Sequence, residues 1–283
     1  MPETPASRPP RHPIARLLLF WTAALAILMG AGLLKGFVPA RWGGLAWGVS
    51  SSIALLLLIR FLVAREGGTF AAVGLRFTRA SPVRMAAGLM LGMGIYAVTL
   101  LTISLTLGPL QLVRAPAPPL DVVVVIVAST IVLAAMEELA FRSYSLWTAR
   151  SVLGFWQTQA VVACAFGALH LLYGWPLQTV AFGVVPSAVL FGVAAVTTRG
   201  LAWPLGLHTG INLARWLTGE NGEQGFWRLG AEGVDQARLA LWSPWIGIGV
   251  LAAATLLFVR YGRGDRPFSA ASRTSILGDD HPL

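Results

Sequence analysis

Six polar residues in the second half of the chain have the types and the spacing that hydrolysis requires. They are Glu137, Glu138, Arg142, His170, His208 and Asn212. A glutamate held away from bulk water is suited to act as a general base on a water molecule, and a histidine can hold that water or relay its proton. A histidine and an amide aimed together can stabilise the oxyanion of a tetrahedral intermediate. The parts of a peptidase or amidase are therefore present without a serine or cysteine nucleophile.

The spacing of these residues predicts how they are grouped on helices. Glu138 and Arg142 are four positions apart, so they lie on one helix face and can pair. Glu137 is turned about 100° from Glu138 and is predicted to face a different neighbour. His208 and Asn212 are also four positions apart and project together.

The composition indicates where such residues must operate. Of the 283 residues, 56% are hydrophobic and only 12% are charged, against about 25% charged in soluble domains. This excludes a soluble enzyme, a disordered chain and a disulfide-stapled module, since the lone Cys164 can form no internal disulfide. The net charge of +9 does not indicate nucleic acid as a partner, because the arginines flank apolar runs, as membrane topology requires.

The apolar runs predict an all-α, multi-pass transmembrane bundle of about eight helices in the cell membrane. A span needs about 20 apolar residues, and such runs occur at 14–34, 43–63, 82–107, 120–141, 157–175, 177–197, 201–218 and 239–259. With the N-terminus inside, thirteen basic residues fall in cytoplasmic segments and five in outer ones. This asymmetry predicts that both termini are cytoplasmic.

Five regions follow from this pattern. A disordered tail is predicted over 1–13, and three N-terminal helices with a basic cytoplasmic loop over 14–119. The catalytic core is predicted over 120–218, and a polar loop with the last helix over 219–259. A disordered cytoplasmic tail over 260–283 completes the chain.

The position of the polar residues in apolar runs favours a shared site. A charge at the bilayer centre costs several kcal/mol, so an ionisable residue there indicates function. Each polar group also needs a partner in hydrocarbon, and facing one another or a water-filled cavity provides it. The alternative for Glu138 and Arg142 is an interfacial ion pair at the end of the fourth helix.

Three motifs in order resemble the CPBP family of CAAX proteases and bacteriocin-processing enzymes, also called the Abi family, which includes the type II CAAX prenyl endopeptidases. The motifs are Glu137-Glu138-x-x-x-Arg142, Phe166-x-x-x-His170 and His208-x-x-x-Asn212. Each lies in an apolar run, and the resemblance covers about residues 120–218.

The resemblance implies an intramembrane endopeptidase of the glutamic type. In that family the first glutamate and the first histidine activate the catalytic water, which implies these roles for Glu137 and His170. The second histidine and the asparagine form the oxyanion hole, which implies this role for His208 and Asn212.

The remaining motif residues are implied to support the site. Glu138 and Arg142 would orient it, and Ser143 stands where the family often has glycine. The implied partner is a membrane-associated peptide or protein. Prenylated peptides, bacteriocin precursors and regulatory membrane proteins are all open, and bacteriocin immunity is a related expectation. The oligomeric state is unspecified.

Zinc is the alternative to a metal-free site. Glu137, His170 and His208 match a common catalytic zinc set. However, the adjacent glutamates point in different directions, and no His-Glu-x-x-His helix is present to offer ligands on one face. The sequence therefore favours a site without a cofactor.

Two further functions and one geometric question stay open. A proton-coupled transporter could also use buried glutamates and histidines, and a catalytically idle scaffold could share the fold.

Counting about 1.5 Å per residue puts Glu137 towards the cytoplasmic side and His170 towards the outer side. They can meet only if segment 143–157 lies partly along the interface or if the helices tilt strongly.

Overall fold

Eight helical rods dominate residues 12–220 and 225–262, which the computed structural model describes. Seven long helices are α1 (Pro13–Gly32), α2 (Ala40–Arg65), α3 (Ser81–Thr106), α4 (Leu120–Arg142), α6 (Phe155–Leu172), α9 (Ala202–Leu217) and α10 (Gln236–Tyr261). The eighth rod joins α7 (Leu177–Thr179), a π turn (Val180–Val184) and α8 (Val185–Thr198). A short helix, α5 (Tyr144–Arg150), lies between α4 and α6.

All eight predicted apolar runs form helices, and the all-α multi-pass class is confirmed. Seven segments of the described chain are long and apolar enough to cross a membrane, and α9 is not among them. At about 1.5 Å per residue its 16 residues extend only about 24 Å. The chain is therefore a multi-pass membrane protein in which α9 is an interior helix. The predicted tails 1–13 and 260–283 lie almost entirely outside the described residues.

The outer surface of the bundle is apolar, as a lipid-facing surface must be. Helix α1 buries Leu17, Phe20, Ala24 and Leu28, a stripe with the spacing of one helix face. Its other faces leave large apolar side chains uncovered, and 69% of Leu19 is exposed. Exposed apolar surface of this extent indicates contact with lipid.

The bundle has two chemically different ends. At the end called the sheet end, β1 (Gln111–Arg114) pairs antiparallel with β2 (Trp227–Gly230). The opposite end, called the basic end, carries the start of α1 and the end of α2, where Arg16 pairs with Glu66. Helix α5 packs there too, because the ring of Tyr144 lies 5.1 Å from that of Phe20.

Glycines allow α3 and α9 to approach very closely. A methyl group added to Gly88 of α3 would lie 2.6 Å from the carbonyl oxygen of Trp203, and one on Gly210 of α9 would overlap the carbonyl oxygen of Leu89. Small residues four apart are the usual means of close helix contact in membranes. This contact holds α9 beside α3, and α9 carries His208 and Asn212.

We expect Gly210→Ala to destabilise the protein, because its methyl group must push α9 away from Leu89. Overpacking of this kind costs about 1–3 kcal/mol. The matched control is Gly94→Ala on α3, where nothing lies within 4 Å of the added methyl group. Thermal unfolding of the purified protein in detergent should show a lower midpoint for Gly210→Ala only. Equal midpoints for the two variants would contradict the close packing.

Candidate active site

A buried ion pair lies at the base of the site. Nη1 of Arg142 is 3.5 Å from Oε1 of Glu138, and both side chains are almost completely buried. The guanidinium lies over the ring of Phe166 at 4.3 Å and over that of Phe191 at 5.5 Å. Aromatic faces attract a desolvated cation, so the rings replace part of the hydration that Arg142 loses. The predicted pairing of Glu138 with Arg142 is confirmed.

His208 lies between the two glutamates. Its Nδ1 is 2.9 Å from Oε1 of Glu138, and its Nε2 is 3.6 Å from Oε2 of Glu137. Phe191 stacks on the imidazole at 4.8 Å with an interplanar angle of 17°. The prediction that Glu137 and Glu138 face different neighbours was wrong. The side chains leave α4 in different directions, but the ring of His208 is wide enough to present one nitrogen to each.

His170 is held in a defined tautomer. Its Nδ1 is 2.9 Å from the carbonyl oxygen of Phe166, and a carbonyl oxygen only accepts, so Nδ1 carries the proton in the neutral ring. Nε2 is then an acceptor. Phe166 and Trp175 fix the ring plane, with centroids 4.5 Å and 5.0 Å from that of His170.

One cavity of about 1340 Å³ connects these residues. Its wall includes four of the six predicted site residues: Glu137, His170, His208 and Asn212. The side chain of Glu137 is 13% exposed, whereas that of Glu138 is 1% exposed. The structure therefore brings the six residues together in two layers, with Glu138 and Arg142 buried behind the cavity wall.

The antiparallel packing of α4 and α6 explains how Glu137 and His170 reach the same depth. The rings of Phe141 and Phe166 contact each other with centroids 5.1 Å apart. One turn from this contact towards the sheet end lies Glu137 on α4 and His170 on α6. The meeting is possible because the chain breaks at the buried Ser143 and forms α5 before α6 begins.

Tyr173 is a further wall residue that the sequence motifs do not include. It lies three positions after His170, and its hydroxyl has no hydrogen-bond partner among the described residues. Burial, and to a smaller extent the negative charge of Glu137, raises the pKa of Tyr173 above its usual range. The phenol is therefore a neutral donor at the cavity wall. Its position on the His170 face was the only signal in the sequence.

The zinc alternative requires Glu137, His170 and His208 to converge on one point. Within 12–220 and 225–262, no group of three His, Cys, Asp or Glu side chains is arranged to hold a metal ion. Both nitrogens of His208 instead face carboxylate oxygens. The donor set as placed does not fit a three-ligand zinc site.

Comparison with known families identifies the same part of the chain. Residues 119–214 match the family model described as "Type II CAAX prenyl endopeptidase Rce1-like". The match begins beside the first residue of α4 and ends two residues after Asn212, so it contains every predicted site residue. No curated protein matches the chain.

The buried ion pair can be tested by a double-mutant cycle. We expect Arg142→Met to destabilise the protein by about 3–5 kcal/mol, because it leaves the carboxylate of Glu138 buried without its cation. Adding Glu138→Gln removes that charge and should restore part of the loss. Thermal unfolding in detergent measures each step. A double variant no more stable than Arg142→Met alone would contradict the pairing.

Proposed function

We propose that the chain is an intramembrane endopeptidase of the CAAX protease kind whose catalytic base is Glu137, and the match of residues 119–214 to the Rce1-like family model supports this. The observation that supports this most strongly is the meeting of three separate motifs at one cavity wall. Nothing in their sequence separation requires Glu137, His170, His208 and Asn212 to share a cavity. Hydrolysis gives each of them a function.

Water activation is assigned to Glu137 and His170. Each offers a hydrogen-bond acceptor. Glu137 offers a carboxylate oxygen, and His170 offers its Nε2, which is unprotonated in the neutral ring because Nδ1–H donates to the carbonyl oxygen of Phe166. A water that donates to both turns its lone pair towards a peptide carbonyl in the cavity. Attack forms the C–O bond while Glu137 takes the proton, which then passes to the leaving amine nitrogen as the C–N bond breaks.

Stabilisation of the oxyanion is assigned to His208 and Asn212. Nδ1–H of His208 donates to Glu138, so donation from Nε2 requires the protonated ring. Such a ring would balance the charges of the cluster, with Arg142 and His208 opposing Glu137 and Glu138. Buried charges are tolerated only when they are paired in this way. Asn212 lies one turn further along α9 and offers its amide N–H groups to the same oxygen.

The proposed mechanism needs no metal ion. The geometric support is that Nδ1 of His208 faces Glu138 at 2.9 Å and that, among the described residues, no three metal-ligating side chains converge on one point. The substrate is proposed to be a membrane-associated peptide or protein segment. A proton-coupled transporter and an idle scaffold are the competing functions, and both predict that no peptide bond is cleaved.

We expect Glu137→Gln and His170→Ala each to abolish cleavage, because the first variant lacks the base that takes the proton and the second lacks the Nε2 acceptor that orients the water. Asn212→Ala should keep a residual rate about 10²–10³-fold below that of the wild type, the usual cost of one oxyanion donor. The assay uses purified protein in liposomes with prenylated CAAX peptides and a membrane-peptide library. Glu232→Gln, an exposed glutamate at the sheet end, is the matched control and should cleave normally.

Two results would count against this assignment. Cleavage that survives Glu137→Gln would remove Glu137 as the base. Proton-coupled uptake by the same liposomes, without cleavage of any peptide, would favour the transporter.

Metal dependence is tested separately. We expect cleavage to continue in strong chelators, since the proposed water is activated by Glu137 and His170 alone. Elemental analysis of the purified protein provides a readout independent of activity and should find no stoichiometric zinc. Activity lost on chelation and restored by zinc would overturn the metal-free mechanism.

A further inference from the structure

A second polar cluster lies on the wall of the same cavity, and its residues belong to none of the three motifs. Its charged members are Arg215, in the last turn of α9, and Glu220, just beyond that helix. Nε of Arg215 is 3.2 Å from Oε2 of Glu220, and the two side chains are 31% and 29% exposed. An ion pair exposed to this extent contributes little to stability, and the proposed hydrolysis does not use it.

The backbone at the end of α9 fixes this ion pair. The hydroxyl of Tyr96 on α3 is 2.6 Å from Oγ1 of Thr218, which holds the end of α9 against α3. The chain then turns at Gly219, whose φ of 75° is a conformation that glycine adopts without strain. The N–H of Glu220 donates to the carbonyl oxygen of Arg215 at 3.0 Å. The glutamate is therefore folded back beside the arginine by the backbone as well as by charge.

Arg215 keeps most of its hydrogen-bonding capacity. A guanidinium has five N–H groups, and the bond to Glu220 uses only the one on Nε. Among residues 12–220 and 225–262, none accepts a hydrogen bond from Nη1 or Nη2 of Arg215. A guanidinium can hold a carboxylate through two parallel hydrogen bonds. The two Nη groups are therefore available for a carboxylate that enters the cavity.

Arg215 and the proposed oxyanion donors lie along one face of α9. Asn212 is four positions after His208, and Arg215 is seven positions after it, which is close to two full turns. All three line the cavity. At about 1.5 Å per residue, His208 and Arg215 are about 10 Å apart along the helix. An extended peptide covers that distance in about three residues.

The charge of the cavity wall at the sheet end favours an anion. Of the described residues that line the cavity, four are Arg, Lys, Asp or Glu: Arg41, Arg215, Glu137 and Glu220. Both arginines lie at the sheet end, in the first turn of α2 and the last turn of α9. Asp121, which pairs with Arg41, lies outside the lining. At this end the wall itself therefore carries two cations and one anion.

We propose that Arg215 is a specificity residue, which binds a carboxylate of the substrate about three residues from the scissile bond. This inference rests on the proposed protease function. Nη1 and Nη2 donate to the substrate carboxylate, while Nε stays with Glu220, which fixes the plane of the guanidinium. A C-terminal carboxylate and the side chain of an aspartate or glutamate share this chemistry, and a binding experiment distinguishes the two.

Binding to the Glu137→Gln variant tests the subsite without cleavage. The probe is one fluorescent prenylated CAAX peptide in three forms: the free acid, the C-terminal amide, and the amide with aspartate as its last residue. Fluorescence anisotropy with the purified full chain in detergent gives the Kd of each form. We expect the free acid to bind at least about tenfold more tightly than the amide, the usual effect of hydrogen bonds to a charged group. Equal Kd values for all three forms would overturn the inference.

The aspartate form identifies the source of the carboxylate. If it binds as tightly as the free acid, Arg215 accepts an acidic side chain as well as a chain terminus. If it binds as weakly as the amide, the C-terminal carboxylate alone is recognised.

Two substitutions separate recognition from a structural ion pair. Added to Glu137→Gln, Arg215→Gln should remove the preference for the free acid. Glu220→Gln should increase that preference about two- to fivefold, because it leaves the cation and removes one opposing exposed charge. A purely structural pair predicts equal effects, since either substitution breaks it. Arg228→Gln, at an exposed position of β2 outside the cavity lining, is the matched control and should leave all three Kd values unchanged.

Glu220→Gln also keeps the inference falsifiable if Arg215→Gln does not accumulate. A preference for the free acid that falls in Glu220→Gln would overturn the proposed role of Arg215, because the cation is still present in that variant.

The results for cleavage keep this inference apart from the proposed function. In the liposome assay, Arg215→Gln should raise KM for the free acid at least about tenfold and leave kcat nearly unchanged, since the contact is made equally in the bound substrate and in the transition state. If the wild type and Arg215→Gln cleave the acid and the amide equally well, the subsite is overturned and the protease stands. If the free acid binds preferentially through Arg215 but the wild type cleaves no peptide, the subsite stands and the protease is overturned.

Discussion

The requirement that charge be neutralised within hydrocarbon shapes this protein more than any other interaction. Arg142 is fully buried and lies 3.5 Å from Glu138 among aromatic rings. Glu138 in turn lies 2.9 Å from His208. This chain of contacts links α4 to α9 and sets the rotation of the imidazole that faces Glu137. A buried cation of this kind is costly unless it is paired. The contacts that neutralise Arg142 therefore also position the residues of the candidate site.

Helix packing supplies the precision that this network needs. The glycines of α3 and α9 let the two backbones meet, and this contact holds His208 at its depth. The ring contact between Phe141 and Phe166 sets the register of α4 against α6. An error of one turn at either contact would move a site residue by about 5 Å, which is more than the distance between His208 and Glu137.

Local rules were sufficient to predict much of this from the sequence. Run length and hydropathy gave all eight helices, and the four-residue spacing gave the Glu138–Arg142 pair. The relation between Glu137 and His208 was not predictable, because it depends on the height and rotation of two helices whose contacting residues are 71 positions apart in the sequence. The equal depth of His170 and Glu137 was unpredictable for a similar reason. It depends on the helix break at Ser143, and no proline or glycine stands next to Ser143 to mark that break in the sequence. Tyr173 was missed because one tyrosine in an apolar run carries no distinctive spacing.

The small sheet links the helices of the candidate site mechanically. β1 belongs to the connection that leads into α4, and β2 to the connection that leaves α9, and the four residue pairs between them join those two connections. The helices that bear Glu137 and His208 are thus joined by the strand pair near the sheet end and by the contact of Glu138 with His208 nearer the basic end. A rod held near both ends resists sideways displacement, so any widening of the cavity would fall to the other helices around it.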